Sequence, residues 1–366
     1  MSDNELHAFL TLQHIPYLGD ASIKRLLQHF ESAEALLSAK KQELLKIDGI
    51  GEYKLREFYN KEHALAAEEE LCFVQDNNIE YSGFRDAHYP ERLKHCIDGP
   101  VILFQRGKIN YKNQKIISII GTRKVTTQGM AFTENFIEQI APLNPIIVSG
   151  FAYGVDITAH KAAVKHGLQT LGVLAHGLNQ IYPKVHKKYM PEVEENGGFL
   201  TDFWSTNSFD RTNFLRRNRI IAGISEATVV IESAAKGGSL VTAEIAGSYN
   251  RDVFAVPGRS TDLQSVGCNN LIKQQKAHLL TSAADLIYML NWEVEQKSKP
   301  VQKQLFIELD DTERKVWSFL NEKGKEQLDF IALNCDLPTF KLAGILLNME
   351  LKGVVRPLPG KLFELI

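Results

Sequence analysis

Ile116-Ile-Ser-Ile-Ile-Gly-Thr-Arg123 is the stretch on which the fold turns. A short β-branched run stops at a glycine, and a threonine and an arginine follow. Runs of the same kind recur at Ile146–Ser149, Thr170–Ala175, Phe199–Thr201, Thr228–Ile231, Val253–Val256 and His278–Thr281. Amphipathic helical stretches separate several of them, which implies right-handed βαβ units and a parallel sheet covered on both faces. The expected class is α/β, a doubly wound sheet. Ligands of such sheets lie beyond the carboxyl ends of the strands, so the residues just after each run carry the functional reading.

After the first run, Gly121 permits a tight turn, and Thr122 with the amides that follow can hold an anion where the next helix begins. Arg123 at a strand end calls for an anion or an internal carboxylate, with phosphate the favoured partner. The next glycine is Gly129, so there is no Gly-x-Gly-x-x-Gly fingerprint and no dinucleotide of the dehydrogenase kind is indicated. The second run ends in Ser149-Gly150, another anion-cradling turn. Asp156 and His160 follow one helical turn apart, and without a third ligand they read as a helix cap and a structural histidine. Gly177 to Lys184 and the tract to Lys188 place basic residues after the third run. Lys236-Gly-Gly238-Ser239 opens a further helix, and Pro257-Gly-Arg259 follows the sixth run. Together these ends describe a phosphate-lined groove.

Four arginines crowd into nine residues at Arg211-Thr-Asn-Phe214-Leu-Arg216-Arg217-Asn218-Arg219, although the chain carries a formal net charge of −2. Guanidinium forks match phosphate oxygens, and Phe214 offers a ring face to a base. The competing reading is a set of buried arginines paired with carboxylates such as Glu232.

At 366 residues, 44% hydrophobic and 23% charged, the chain has globular composition and room for two or three domains. No run approaches the ~20 apolar residues that cross a bilayer, and the polar start, Met1-Ser-Asp-Asn-Glu, does not read as a secretory signal. The four cysteines are scattered and read as reduced thiols, which points to a cytoplasmic protein without a zinc site.

The sheet region, expected over 66–293, is flanked by two smaller modules. Residues 1–65 read as short helices at Glu5–Leu12, Ala21–His29, Ala33–Leu37, Lys41–Lys46 and Lys54–Phe58, with apolar glycine turns at 15–19 and 47–51. This is helix-hairpin-helix or SAM-like grammar. Asp20 and Asp48 stand where phosphate would sit, which favours a structural or interaction role. A polar linker is expected over 294–310. Residues 311–366 read as a winged helix, with helices near Thr312–Asn321, Leu328–Asn334 and Phe340–Leu351 and strands near Val354–Arg356 and Leu362–Leu365. Its third helix is mostly apolar, so a packing or protein-binding role stands beside duplex reading.

The order Ile119-Ile-Gly-Thr-Arg123, Val148-Ser-Gly-Phe-Ala152, Gly154-Val-Asp156, Phe214 to Gly223, Gly238-Ser-Leu-Val-Thr-Ala243, Val256-Pro-Gly258 and Gly267 to Ile272 resembles the DprA/Smf family of bacterial DNA-processing proteins. The resemblance implies that the sheet is an extended Rossmann-like fold, in a homodimeric, non-catalytic protein without a cofactor or resident metal. It would bind and protect single-stranded DNA and load the RecA recombinase in natural transformation. Carried onto this chain, Arg123 and Arg211 would contact phosphate, Phe214 would stack on a base, and Arg217, Asn218 and Arg219 would line or brace the groove. Gly121, Thr122, Ser149, Gly150, Lys184, Gly238 and Ser239 complete the expected DNA site. Walker A, His-Glu-x-x-His and Gly-x-Ser-x-Gly patterns are absent. An enzymatic alternative comes from Gly237 to Glu244, which is similar to the loop of nucleoside-monophosphate phosphoribohydrolases but lacks its central glycine. A third reading is an adaptor acting through the winged helix.

Overall fold

The structure, a computed structural model, describes residues 1–112, 115–292, 309–358 and 360–366. It divides into two compact units, Met1–Val294 and Glu295–Ile366.

The first unit begins with α1 (Asp3–His14), α2 (Asp20–Leu27), α3 (Ala33–Leu37), α4 (Lys41–Leu44) and α5 (Glu62–Asp76). The expected helix at Lys54–Phe58 is a series of turns instead. Its amides bond three residues back, Lys54 to Gly51 and Leu55 to Glu52, so no α-helical ladder forms. The boundary expected at residue 65 falls inside α5, whose buried Leu71 and Val74 join the core of the preceding helices. That core also takes in Ile102, Phe104 and Phe199 from the sheet, so the helical module is fused to the sheet region.

Next come β1 (Glu80–Gly83), α6 (Glu91–Lys94) and β2 (Ile102–Gly107), then β3 (Ile116–Ile120), α7 (Thr127–Ile140), β4 (Ile146–Ser149), α8 (Val155–Lys165) and β5 (Thr170–Val173). A 3-10 turn at Lys184–Tyr189 leads to α9 (Met190–Glu195) and β6 (Gly197–Thr201). The unit closes with α10 (Thr212–Ile224), β7 (Ala227–Val230), α11 (Gly238–Ser248), β8 (Asp252–Ala255), α12 (Val266–Lys273), β9 (His278–Leu279) and α13 (Ala283–Met289).

The sheet runs β1-β2-β6-β5-β4-β3-β7-β8-β9. From β6 to β9 all neighbours are parallel, as expected, and β3 lies in register with β4 (Ile117 beside Ile147) and with β7 (Ile119 beside Val229). The expectation of a wholly parallel sheet is corrected at one edge. There β1 pairs β2 and β2 pairs β6 antiparallel, and neither β1 nor β2 is among the expected runs. Both are half-exposed at one end, without the continuous apolar run that marks a buried parallel strand.

The decisive stretch explains the layers. Ile117 and Ile119 face a core with Phe136, Val155 and Leu286, beneath α7, α8 and α13. Ile116 and Ile120 face the opposite core with Ile220, Ile221 and Ala243, beneath α10 and α11. Each such side chain, fully buried, contributes about 1.5–3 kcal/mol. Ser118 is the polar member of the run, and its hydroxyl meets Thr228 Oγ1 on β7 at 2.8 Å.

In the second unit, α14 (Asp311–Lys323), β10 (Glu326–Gln327), α15 (Leu328–Asn334), α16 (Thr339–Leu351), β11 (Val355–Leu358) and β12 (Leu362–Leu365) form a winged helix with a sheet ordered β10-β12-β11. Leu342, Leu346 and Met349 of α16 fill its core, while Phe340, Leu347 and Leu351 stay exposed. The expected linker lies outside the described residues apart from Leu309 and Asp310, and the wing turn at 357–360 includes one residue outside them. Among the described residues, no single helix is long and apolar enough to cross a membrane.

Candidate nucleic-acid interface

The chain winds from β3 out to β6 in one direction and then restarts at β7 on the other side of β3. At this reversal the loops after β3 and β7 separate and leave a crevice, as the topology requires. A groove of about 630 Å³ occupies it. Its walls are Ile120 to Arg123 after β3, Ser233 to Thr242 after β7, and the first turns of α10.

The first wall is set by two glycines. A Cβ on Gly121 would lie 2.5 Å from Val155 Cγ2, and a Cβ on Gly154 would lie 2.2 Å from the Thr122 carbonyl oxygen. Gly154 also adopts φ 79°, which side chains rarely take. The β3 turn therefore packs tightly against the start of α8, and Arg123 is left projecting and exposed. On the second wall, Gly237 and Gly238 are exposed at the N-terminus of α11, where helix amides lack intrahelical partners.

The third wall is α10. Arg211 precedes its first turn, and Arg211, Phe214 and Asn218 follow at spacings of three and four, so they share one face that lines the groove. The Arg123 guanidinium carbon lies 5.2 Å from the centre of the Phe214 ring, and that of Arg217 lies 5.9 Å away. Phe214 also packs edge-on against Tyr182 and Phe209, each 5.6 Å between ring centres. Among the described residues Arg123, Arg211 and Lys236 make no salt bridge, so three cations line the groove without a carboxylate in direct contact.

Beneath them lies a buried charge pair. Arg217 donates through Nη1 to the Gly150 carbonyl at 2.7 Å and to that of Val173. Burial lowers its pKa to about 10 while neighbouring Asp156 opposes the shift, so it remains a cation at neutral pH. The Asp156 carboxyl is pushed up by the same burial, with Arg217 pulling it back, and its Oδ2 accepts from the Ala152 amide at 3.3 Å. Both residues border the groove floor.

The structure brings together Gly121, Thr122, Arg123, Arg211, Phe214, Arg217, Asn218, Gly238 and Ser239 of the expected site. Lys184 borders an adjoining concavity of about 640 Å³ with Lys187, and the two hollows share Tyr182 and Phe209.

Three expected residues lie elsewhere. Ser149 is fully buried and its hydroxyl donates to the Ile119 carbonyl at 2.6 Å. Gly150 is roofed over, since a Cβ there would meet Arg217 Nη1 at 2.5 Å and Asp156 Oδ2 at 2.6 Å. Arg219 is 8% exposed and turned toward the helical module, one residue beyond the groove face of α10. Its Nη2 donates to Asp20 at 3.1 Å and to Asp202, and its Nη1 to the Asp98 carbonyl. Burial works against that charge, but Asp202, Asp20 and Asp98 outweigh it and raise the pKa.

The carboxylate brace at Glu232 is likewise corrected. Glu232 accepts from the Thr126 amide at 2.8 Å and from its hydroxyl, and so anchors the start of α7 instead of an arginine. His160 is a structural residue: Nδ1 meets Thr170 Oγ1 at 2.7 Å, and burial pushes its pKa down to about 3.

Lys236 lies in a strand-end turn expected at the groove, but sequence reasoning does not single out Tyr182 and Phe209. Their signal is adjacency, Tyr182 next to the Lys184 tract and Phe209 two residues ahead of Arg211.

Comparison with known proteins agrees with this architecture. The model of the family described as DNA recombination-mediator protein A matches residues 80–291, a SAM-like helix-hairpin-helix tandem matches 9–57, and the DprA winged helix domain matches 302–361. Protein Smf of Escherichia coli is 31% identical over 80% of this chain and 79% of its own. The crystal structure of DNA processing protein A from Streptococcus pneumoniae aligns with a TM-score of 0.65 at 29% identity, covering 79% of this chain and 98% of that one. DNA processing protein A from Helicobacter pylori, solved for its single-stranded DNA binding mode, aligns with a TM-score of 0.52 at 27% identity over 58% of this chain and 96% of that one.

Proposed function

The chain belongs to the family described as DNA recombination-mediator protein A, and on that premise we propose that its groove holds single-stranded DNA without sequence preference. The observation that carries this reading is the stack of Arg123 over Phe214, flanked by Arg211 and Lys236. Grooves that accept any single strand join cations for the backbone to aromatic faces for the bases. The exposed amides at the start of α11 supply neutral donors for phosphate oxygens. The single-stranded DNA named for the Helicobacter pylori relative supports the same ligand here.

The protein protects incoming or recombining strands, loads the RecA recombinase during natural transformation, and acts as a homodimer without catalysis. An apolar end of the sheet supports the dimer: Leu279 on edge strand β9, and Tyr288 and Met289 on α13, are 51%, 79% and 43% exposed.

The phosphoribohydrolase alternative is disfavoured by one carboxylate. Glu244, the glutamate of the similar loop, lies outside the groove, 3.6 Å from Lys276. Only Asp156 brings a carboxylate to the described groove wall, and Arg217 sits against it.

Gel shift of single- and double-stranded oligonucleotides of one sequence tests the ligand. Preference for the single strand is expected, and equal or stronger duplex binding would overturn the reading. Adenine release from AMP by the purified protein would restore the enzyme.

A further inference from the structure

Residues 157–191 contain five lysines and no aspartate or glutamate, in a chain whose net charge is −2. The fold gathers these lysines on two neighbouring pieces, α8 with Lys161 and Lys165, and the 3-10 turn with Lys184, Lys187 and Lys188. All five are exposed, and among the described residues none makes a salt bridge. A cluster of like charges without counter-ions repels itself, so its presence on a mildly acidic protein asks for an anion from outside.

The cluster is joined to the groove by a chain of rings. Tyr153 immediately precedes Gly154, whose backbone presses on Thr122 and Arg123. Tyr153 is 42% exposed, and its ring lies 5.0 Å from that of His186. His186 in turn lies 6.0 Å from Tyr189. Lys188 Nζ stands 4.9 Å and Lys161 Nζ 5.6 Å from the centre of the Tyr189 ring. Three rings, Tyr153, His186 and Tyr189, thus run from the residue beside Gly154 to the ammonium groups of Lys161 and Lys188.

We propose that this surface is a second segment of the single-strand path, over which DNA leaving the groove at Arg123 passes Tyr153 and lays its phosphates on Lys161 and Lys188. Tyr153 offers a part-exposed ring to a base, and Tyr189 orients the two ammonium groups. The segment lengthens the footprint beyond the groove and gives the strand one direction of exit. The inference rests on the groove holding single-stranded DNA.

The test compares oligothymidylates of about six and about thirty nucleotides, within and beyond the reach of one such site. Lys161→Ala/Lys188→Ala, two exposed changes, is measured by fluorescence anisotropy across a salt series. Weaker binding of the long strand alone is expected, with the log–log salt slope reduced by about 0.7 per lysine and restored by Lys161→Arg/Lys188→Arg. Unchanged affinity and slope on the long strand would overturn the proposal. A double variant that loses only an acidic protein partner would overturn it equally. Failure of the groove itself reads out differently, as an Arg123→Ala variant that binds the short strand normally.

Discussion

Arg123, from the turn after β3, and Phe214, from the first turns of α10, meet with 5.2 Å between guanidinium carbon and ring centre, and this contact joins two walls of the groove. Cation and ring hold each other while both remain open to a ligand. The relationship makes the two residues separable by experiment.

Arg123→Ala or Arg211→Ala is expected to weaken single-strand binding with little dependence on sequence. Each also lowers the salt slope by about 0.7. Fluorescence anisotropy at several salt concentrations measures both. Unchanged affinity in both variants would remove the site assignment.

Phe214→Ala is expected to cost about 1–3 kcal/mol of binding, the range for one stacked base, while the salt slope stays put. A reduced slope would mean that the ring acts by positioning Arg123 and not by stacking.

Arg219→Ala is expected to act on stability. It strips the buried Asp202 and Asp20 of their cation, a loss on the order of 3–5 kcal/mol. Denaturant titration should show the change. A fully stable variant with weakened DNA affinity would return Arg219 to the groove.

His160 gives a pH signature. Its folded pKa, pushed down to about 3, lies below the unfolded value of about 6.5, so the unfolded chain binds the extra proton between those limits. Its contribution to stability is therefore lost as pH falls from about 6.5 toward 3, at up to about 1.4 kcal/mol per pH unit. His160→Gln should flatten that part of the stability profile, and a profile of unchanged slope would contradict the assignment.

A chain ending at Val294 retains every groove residue. It is expected to bind single strands as tightly as the full chain. A large loss of affinity would give the winged helix a direct part in holding DNA.

The fold is legible in the sequence because its signals are local. Ile116–Ile120 and its sister runs are short, β-branched and separated by amphipathic helices, and parallel strands buried on both faces must look like that. The strand-end rule then places Gly121, Thr122, Arg123 and Gly238 near one edge from the order of the runs alone. The edge strands Glu80–Gly83 and Ile102–Gly107 escape such a reading because a half-exposed strand at the margin of a sheet lacks the apolar run.

Within the arginine cluster, sequence determined that the charges are concentrated and that a ring stands among them. Only the tertiary structure decided where each one goes. Arg211 faces the groove, Arg217 lies beneath it with Asp156, and Arg219 is spent on Asp202 and Asp20 from distant parts of the chain. The reason is helical geometry. Successive residues of α10 point about 100° apart, so neighbours in sequence meet solvent, sheet and helical module in turn, and the carboxylates that claim them are brought there only by the folded chain.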